Sequence, residues 1–150
     1  MQLTVESFPS RTQDFSLWQL EPFLDEVQMG YILKTDDNKI IIVDGGGVVA
    51  APFLESYIKQ LGGTVHTWVI THAHMDHMGA LLEILDNRSV KIEQLVHKPP
   101  AEEWVEQNEQ VSAVTFKTYL TKINESNVAT SIPNKDIEYV LGEGVKMKVL

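Results

Sequence analysis

Apolar and polar positions along the chain alternate in short runs, with helical spacing between some of them. Leu3 and Val5 suggest an edge strand that Pro9 stops, and a less regular run, Phe15 to Leu20, is broken by Pro22. Gly30 to Thr35 and Lys39 to Val43 flank Asp36-Asp37-Asn38, the arrangement of a β-hairpin around a short turn. The second of these runs is apolar at successive positions, which predicts an interior strand rather than a half-solvated one. Pro52 then opens a helical pattern of Phe53, Leu54, Tyr57, Ile58 and Leu61, and Gly62-Gly63 stops it. His66 to Ile70 reads as a strand returning parallel to the one before Asp44. Ala80, Leu81, Ile84 and Leu85 mark a short helix ending near Asn87, and Val90, Ile92, Leu95 and Val96 another strand. Pro99-Pro100 introduces a helix start at Ala101-Glu102-Glu103-Trp104, followed by a moderate helical pattern to about Ile123. Strand-like runs Ile137 to Leu141 and Val145 to Leu150 close the chain around Gly142-Glu143-Gly144.

This order predicts an α/β architecture whose crossover unit brings the ends of two parallel strands together. One end carries Asp44-Gly45-Gly46-Gly47, and the other carries His72-Ala73-His74-Met75-Asp76-His77-Met78-Gly79. Open α/β sheets keep their sites at such carboxyl ends. The glycines lack the spacing of a phosphate-binding loop. The second segment places three imidazoles and a carboxylate in six positions, donors that suit zinc and neighbouring divalent metals. Residues two apart on extended backbone point the same way, so His72 and His74 can converge on one ion. Asp76 and His77, past the strand end, can face a second. Gly79 lets backbone come close to the site. Asp44 has two readings, a turn residue bonding its own backbone or a partner that orients a ligating imidazole.

These residues resemble the metallo-β-lactamase superfamily of metal-dependent hydrolases, whose signature is H-x-H-x-D-H after an apolar strand. The match is strong from Thr71 to Gly79 and extends back to Ile40 to Gly46. The resemblance implies an α/β (α+β) fold that is the N-terminal half of a four-layer αββα sandwich, a mixed sheet with helices on one face. It assigns His72 and His74 to a first metal site and Asp76 and His77 to a second, with Asp44 bracing the metal-binding loop. The implied cofactor is zinc, one or two ions, with manganese or iron as substitutes. The implied activity is attack by a metal-bound hydroxide on an ester-like, thioester, amide or phosphodiester bond, with Asp76 as ligand and catalytic residue orienting that hydroxide. The family's redox branch carries an acidic residue at the second motif position, so His74 favours hydrolysis.

A catalytic zinc takes three protein ligands and a water, and only two can be assigned here to each ion. The expectation is therefore one domain spanning 1–150 that is truncated at its C-terminal end and carries half of a dinuclear site. The alternative is a non-catalytic metal-binding or assembly module that needs a second half or a partner chain. An apolar sheet face left without its mate predicts a homo-oligomer through that face.

Composition narrows the partners. With 43% apolar and 22% charged residues the chain is of ordinary globular type, and its net charge of −9 disfavours nucleic acid as a partner. A small-molecule or ester-like substrate is expected instead. The chain has no cysteine, so disulfides and thiolate metal sites are excluded. No apolar run approaches the ~20 residues of a membrane span, and Met1 to Ser10 does not read as a signal peptide, so no membrane role and a cytoplasmic location are expected. His66 and His97 have no partner at ligand spacing and read as structural. Glu102, Glu103, Glu106 and Glu109 read as a solvated helix face.

Overall fold

The computed structural model describes residues 15–21, 27–110 and 112–149; the expected strand at Leu3 and Val5 lies outside them. A mixed sheet of seven strands runs in the order β1 (Phe15–Gln19), β2 (Gly30–Thr35), β3 (Ile40–Asp44), β4 (Thr64–Ile70), β6 (Gln94–His97), β7 (Ala129–Ser131), with β5 (Lys91–Ile92) also paired to β4. β1, β2 and β3 are antiparallel neighbours, whereas β4, β6 and β7 continue the sheet in parallel. The expected hairpin and interior strand are both present: Ile40, Ile41 and Ile42 are buried between β2 and β4.

The β3–β4 crossover is α1 (Ala51–Leu61), entered through a 3-10 turn, Val48–Ala50, and ended by Gly62 at φ 137°. The left-handed half of φ space is open to glycine at little cost, which is why the helix stops there. α2 (Met75–Asn87) follows β4. Alternation along the strands sends Ile32, Ile40, Ile42 and Trp68 to the side that packs with Leu54 and Ile58 of α1, Leu81 and Ile84 of α2, and Phe116 and Ile123 of α4 (Ala113–Ser126). Burial of each such side chain contributes about 1.5–3 kcal/mol. On the other side, Leu33, Ile41, Val43, Val69 and Val96 face a separate antiparallel hairpin, β8 (Glu138–Gly142) and β9 (Val145–Lys148), across a cavity of about 640 Å³. Leu141, Val145 and Met147 line its far wall, and Glu143 N–H donates to Asp37 at 3.1 Å.

Three local expectations are corrected. The single strand expected over Val90 to Val96 is interrupted at Glu93, whose N–H is taken by the Val65 carbonyl at 2.9 Å, and β5 and β6 pair with opposite ends of β4. The helical pattern from Trp104 to Ile123 is two helices, α3 (Glu102–Asn108) and α4. Val105 of α3 and Phe116, Tyr119 and Ile123 of α4 all reach the core, with the helical run ending at Asn108 and resuming at Ala113. β7 was not expected, because its Ala-Thr-Ser sequence has neither apolar alternation nor burial to announce it. Among the described residues no helix is long and apolar enough to cross a membrane.

His66 and His97 both make contacts within the fold. His66 Nδ1 accepts the Ile40 N–H at 3.1 Å, where the β3–β4 register shifts. His97 is buried at the end of β6, and burial lowers its pKa from the ordinary 6.5. Burial raises the Tyr119 hydroxyl well above the usual range, so it stays protonated, and it is hydrogen-bonded with His97 Nδ1 at 2.7 Å. A histidine depressed on folding is protonated first in the unfolded chain, so stability falls as pH drops through the ordinary value and levels off below the folded one. The melting temperature is expected to fall between pH 7 and pH 5. It should fall less steeply in His97→Gln, a comparison that thermal melts across that range would make.

Candidate metal centre

β4 is buried from Thr67 to Ile70, and it delivers Thr71 and the histidine segment to the sheet's carboxyl end beside Asp44. His74 precedes α2 with extended backbone (φ −101°, ψ 153°), and its carbonyl accepts the N–H groups of His77 and Met78 at 3.0 and 2.9 Å. Asp76 and His77 therefore lie in the first helical turn, where the positive end of the helix dipole favours anionic groups. The three rings gather: centroids of His72 and His77 are 3.8 Å apart, and those of His72 and His74 4.8 Å. Asp76 Oδ2 lies 3.4 Å from His77 Nε2.

Asp44 is the buried hub behind them. Its φ of 59° is left-handed, a conformation uncommon outside glycine and asparagine. The Trp68 indole N–H donates to its carbonyl, and its carboxylate accepts from Thr71 N at 2.8 Å, from Thr71 Oγ1 at 2.9–3.0 Å and from His77 Nδ1 at 2.9 Å. The strained backbone is thus held by bonds on both sides of the residue.

Asp44 only accepts, so His77 carries a proton on Nδ1; a neutral ring then has its lone pair on Nε2, the nitrogen 3.4 Å from Asp76 Oδ2. Thr71 Oγ1 spends its one proton on Asp44, so at 3.1 Å it accepts from His72 Nδ1, which leaves His72 Nε2 unprotonated. Burial, followed by the neighbouring rings of His77 and His74, lowers the His72 pKa and favours this neutral form. His74 Nε2 contacts Glu109 Oε2 at 3.1 Å, so its free lone pair is on Nδ1. Glu109 is thus corrected: it does not belong to the solvated face. Its neighbour Glu106 pairs with Lys117, while the residue just past the end of α3 turns to the motif. Sequence reasoning gave Thr71 no role of its own and took Glu109 as solvated, because their partners Asp44 and His74 lie 27 and 35 positions away.

The donor set has the chemistry zinc takes, three neighbouring imidazole rings and a carboxylate beside them. Among the described residues, no three donors already stand at the spacing that would enclose an ion.

A family model of the metallo-beta-lactamase superfamily matches residues 26–145. The chain belongs to the metallo-beta-lactamase superfamily. Solved metallo-beta-lactamases share its fold. One from Cronobacter sakazakii, with an HARLDQ motif, has a TM-score of 0.53 at 15% identity over 84% of this chain and 48% of that one. Another from Pontibacter korlensis has a TM-score of 0.50 at 20% identity over 95% of this chain and 57% of that one. Among curated relatives, the zinc phosphodiesterase ELAC protein 2 homolog of Caenorhabditis elegans is 37% identical over 70 residues, 44% of this chain and 8% of that protein. The probable metallo-hydrolase YqgX of Bacillus subtilis is 32% identical over 75 residues, 50% of this chain and 34% of that protein. The chain thus spans about half the length of these solved structures and a third or less of the curated relatives.

Proposed function

We propose that this chain supplies the first half of a dinuclear hydrolase site that cleaves an ester-like, thioester, amide or phosphodiester bond. The observation that carries it is the set of three neighbouring rings, each with one nitrogen tied to a protein acceptor. His72 and His74 would hold a first zinc, and Asp76 and His77 a second. When bound, zinc at such a site supplies a water acidified toward neutrality as the nucleophile and polarises the scissile group. Asp44 orients His77 directly and His72 through Thr71. Asp76 would also orient the nucleophile by accepting its hydrogen bond, and the α2 N-terminus favours negative charge there. The relatives named as a zinc phosphodiesterase and a metallo-hydrolase support this reaction class. The remaining ligands would come from outside these 150 residues.

Metal analysis and a hydrolysis panel of nitrophenyl ester, thioester, β-lactam and phosphodiester probes test this directly, run on the chain alone and joined to a complementing second half. Partial metal and low turnover alone, rising sharply in the joined form, is the expected result. Two full equivalents and brisk hydrolysis by the 150-residue chain would overturn the half-site assignment.

A second reading, a metal-binding or assembly module without catalysis, is favoured by the donors not yet enclosing an ion. It predicts metal uptake without turnover in the joined form too. In either case the apolar space between sheet and hairpin is proposed to drive self-association of the isolated chain, with a second copy covering it; a strict monomer in light scattering at high concentration opposes this.

A further inference from the structure

Glu109 differs from the other acidic residues of its segment. Glu102 and Glu103 are exposed, and Glu106 is taken by Lys117. The Glu109 backbone is fixed where α3 gives way to α4: its N–H donates to Val105 O at 2.8 Å and its carbonyl accepts from Ser112 N at 2.9 Å. Val105 and Phe116, both buried, anchor that corner on the core. From there the carboxylate crosses the mouth of a cavity of about 250 Å³, lined by Ala73, Pro100, Trp104 and Phe116, and meets His74 Nε2.

We infer that Glu109 is a positioning residue for His74, holding the imidazole proton on Nε2 so that Nδ1 presents its lone pair to the metal. The inference rests on the metal reading of the motif. A carboxylate has no proton to give, so its partner nitrogen must carry one, and a neutral imidazole then has its lone pair on the other. Carboxylates that grip the far nitrogen of a ligating histidine fix both tautomer and ring orientation. His77 and His72 have Asp44 for this purpose; His74 has Glu109. The pair is half-exposed on both sides, with side-chain exposures of 49% and 36%, so its direct contribution to folding is small. Its effect is therefore on the ring and not on the fold.

The test compares the full protein with Glu109→Ala, Glu109→Gln and, as a charge-matched control on the preceding helix α3, Glu103→Ala. Nitrogen–proton correlation spectra of the metal-free protein read the His74 tautomer, and competition with a chromophoric chelator reads zinc affinity. Expected are an Nε2–H His74 in the wild type and loss of that preference in Glu109→Ala. Zinc affinity should fall about 10–100-fold there, with melting temperature unchanged. Glu109→Gln, whose amide oxygen still accepts, should recover part of both, and Glu103→Ala should match the wild type. An Nδ1–H tautomer in the wild type, or equal losses in Glu109→Ala and Glu103→Ala, overturns the inference while the metal reading stands. A wild-type protein with the expected tautomer but no zinc uptake overturns the metal reading, and this inference with it.

Discussion

Gly79→Ala is expected to destabilise the protein by about 1–3 kcal/mol through overpacking, although it replaces a helix-interior glycine with the best helix former. In an unobstructed helix the same change would stabilise by roughly 1 kcal/mol. Gly79 is buried in the first half of α2, and a methyl there would stand 2.7 Å from Val48 N, 2.9 Å from Gly47 C and 3.0 Å from Gly47 Cα. All three are backbone atoms, which cannot swing aside as a side chain would. The neighbouring bond from Ala80 N–H to Gly46 O, 3.0 Å, ties the same two segments together. The added methyl must push the loop after Asp44 away from the helix that carries Asp76 and His77, so metal affinity should fall with stability. Urea or thermal denaturation decides the sign; an unchanged or raised midpoint would show that the loop yields freely.

Substitutions of Asp44 should separate folding from metal binding. Asp44→Ala removes the acceptor for two Thr71 donors and one His77 donor, and leaves the buried His77 N–H without a partner. A loss on the order of 3 kcal/mol is expected, since an unsatisfied buried group costs about 1–3 kcal/mol and the left-handed backbone loses its support. Asp44→Asn is the sharper case. Asparagine tolerates a φ of 59°, and its carbonyl can still accept from Thr71. Its amide must then face His77 Nδ1 with a proton, which forces the His77 proton onto Nε2 and abolishes that lone pair. Stability should change by about 1 kcal/mol or less, while zinc affinity falls about 10–100-fold. Parallel melts and chelator competition check this; equal modest losses in both quantities would show that Asp44 acts only as a turn residue.

The hairpin over residues 30–44, the helix opened by Pro52 and closed by Gly62-Gly63, and the parallel strand running into the histidines were all legible in the chain. Each depends on periodicity and on proline or glycine within a few positions, so local physics was enough. The donor cluster was legible for the same reason, because its members are within six residues of one another. The break between α3 and α4 was not, since Val105, Phe116, Tyr119 and Ile123 are spaced as one face of a continuing helix and the pattern carries no stop signal between them.

What the sequence by itself determined is where three imidazoles and a carboxylate sit together, at the point where a strand ends and a helix begins. Tertiary structure alone decided which nitrogen of each imidazole meets a buried or distant protein acceptor. That choice belongs to acceptors 33 and 35 positions from His77 and His74, and to Thr71, itself held by Asp44 from 27 positions away. A proton on an imidazole goes to whichever side finds an acceptor, and only packing of the sheet against its helices brings those acceptors within hydrogen-bond distance.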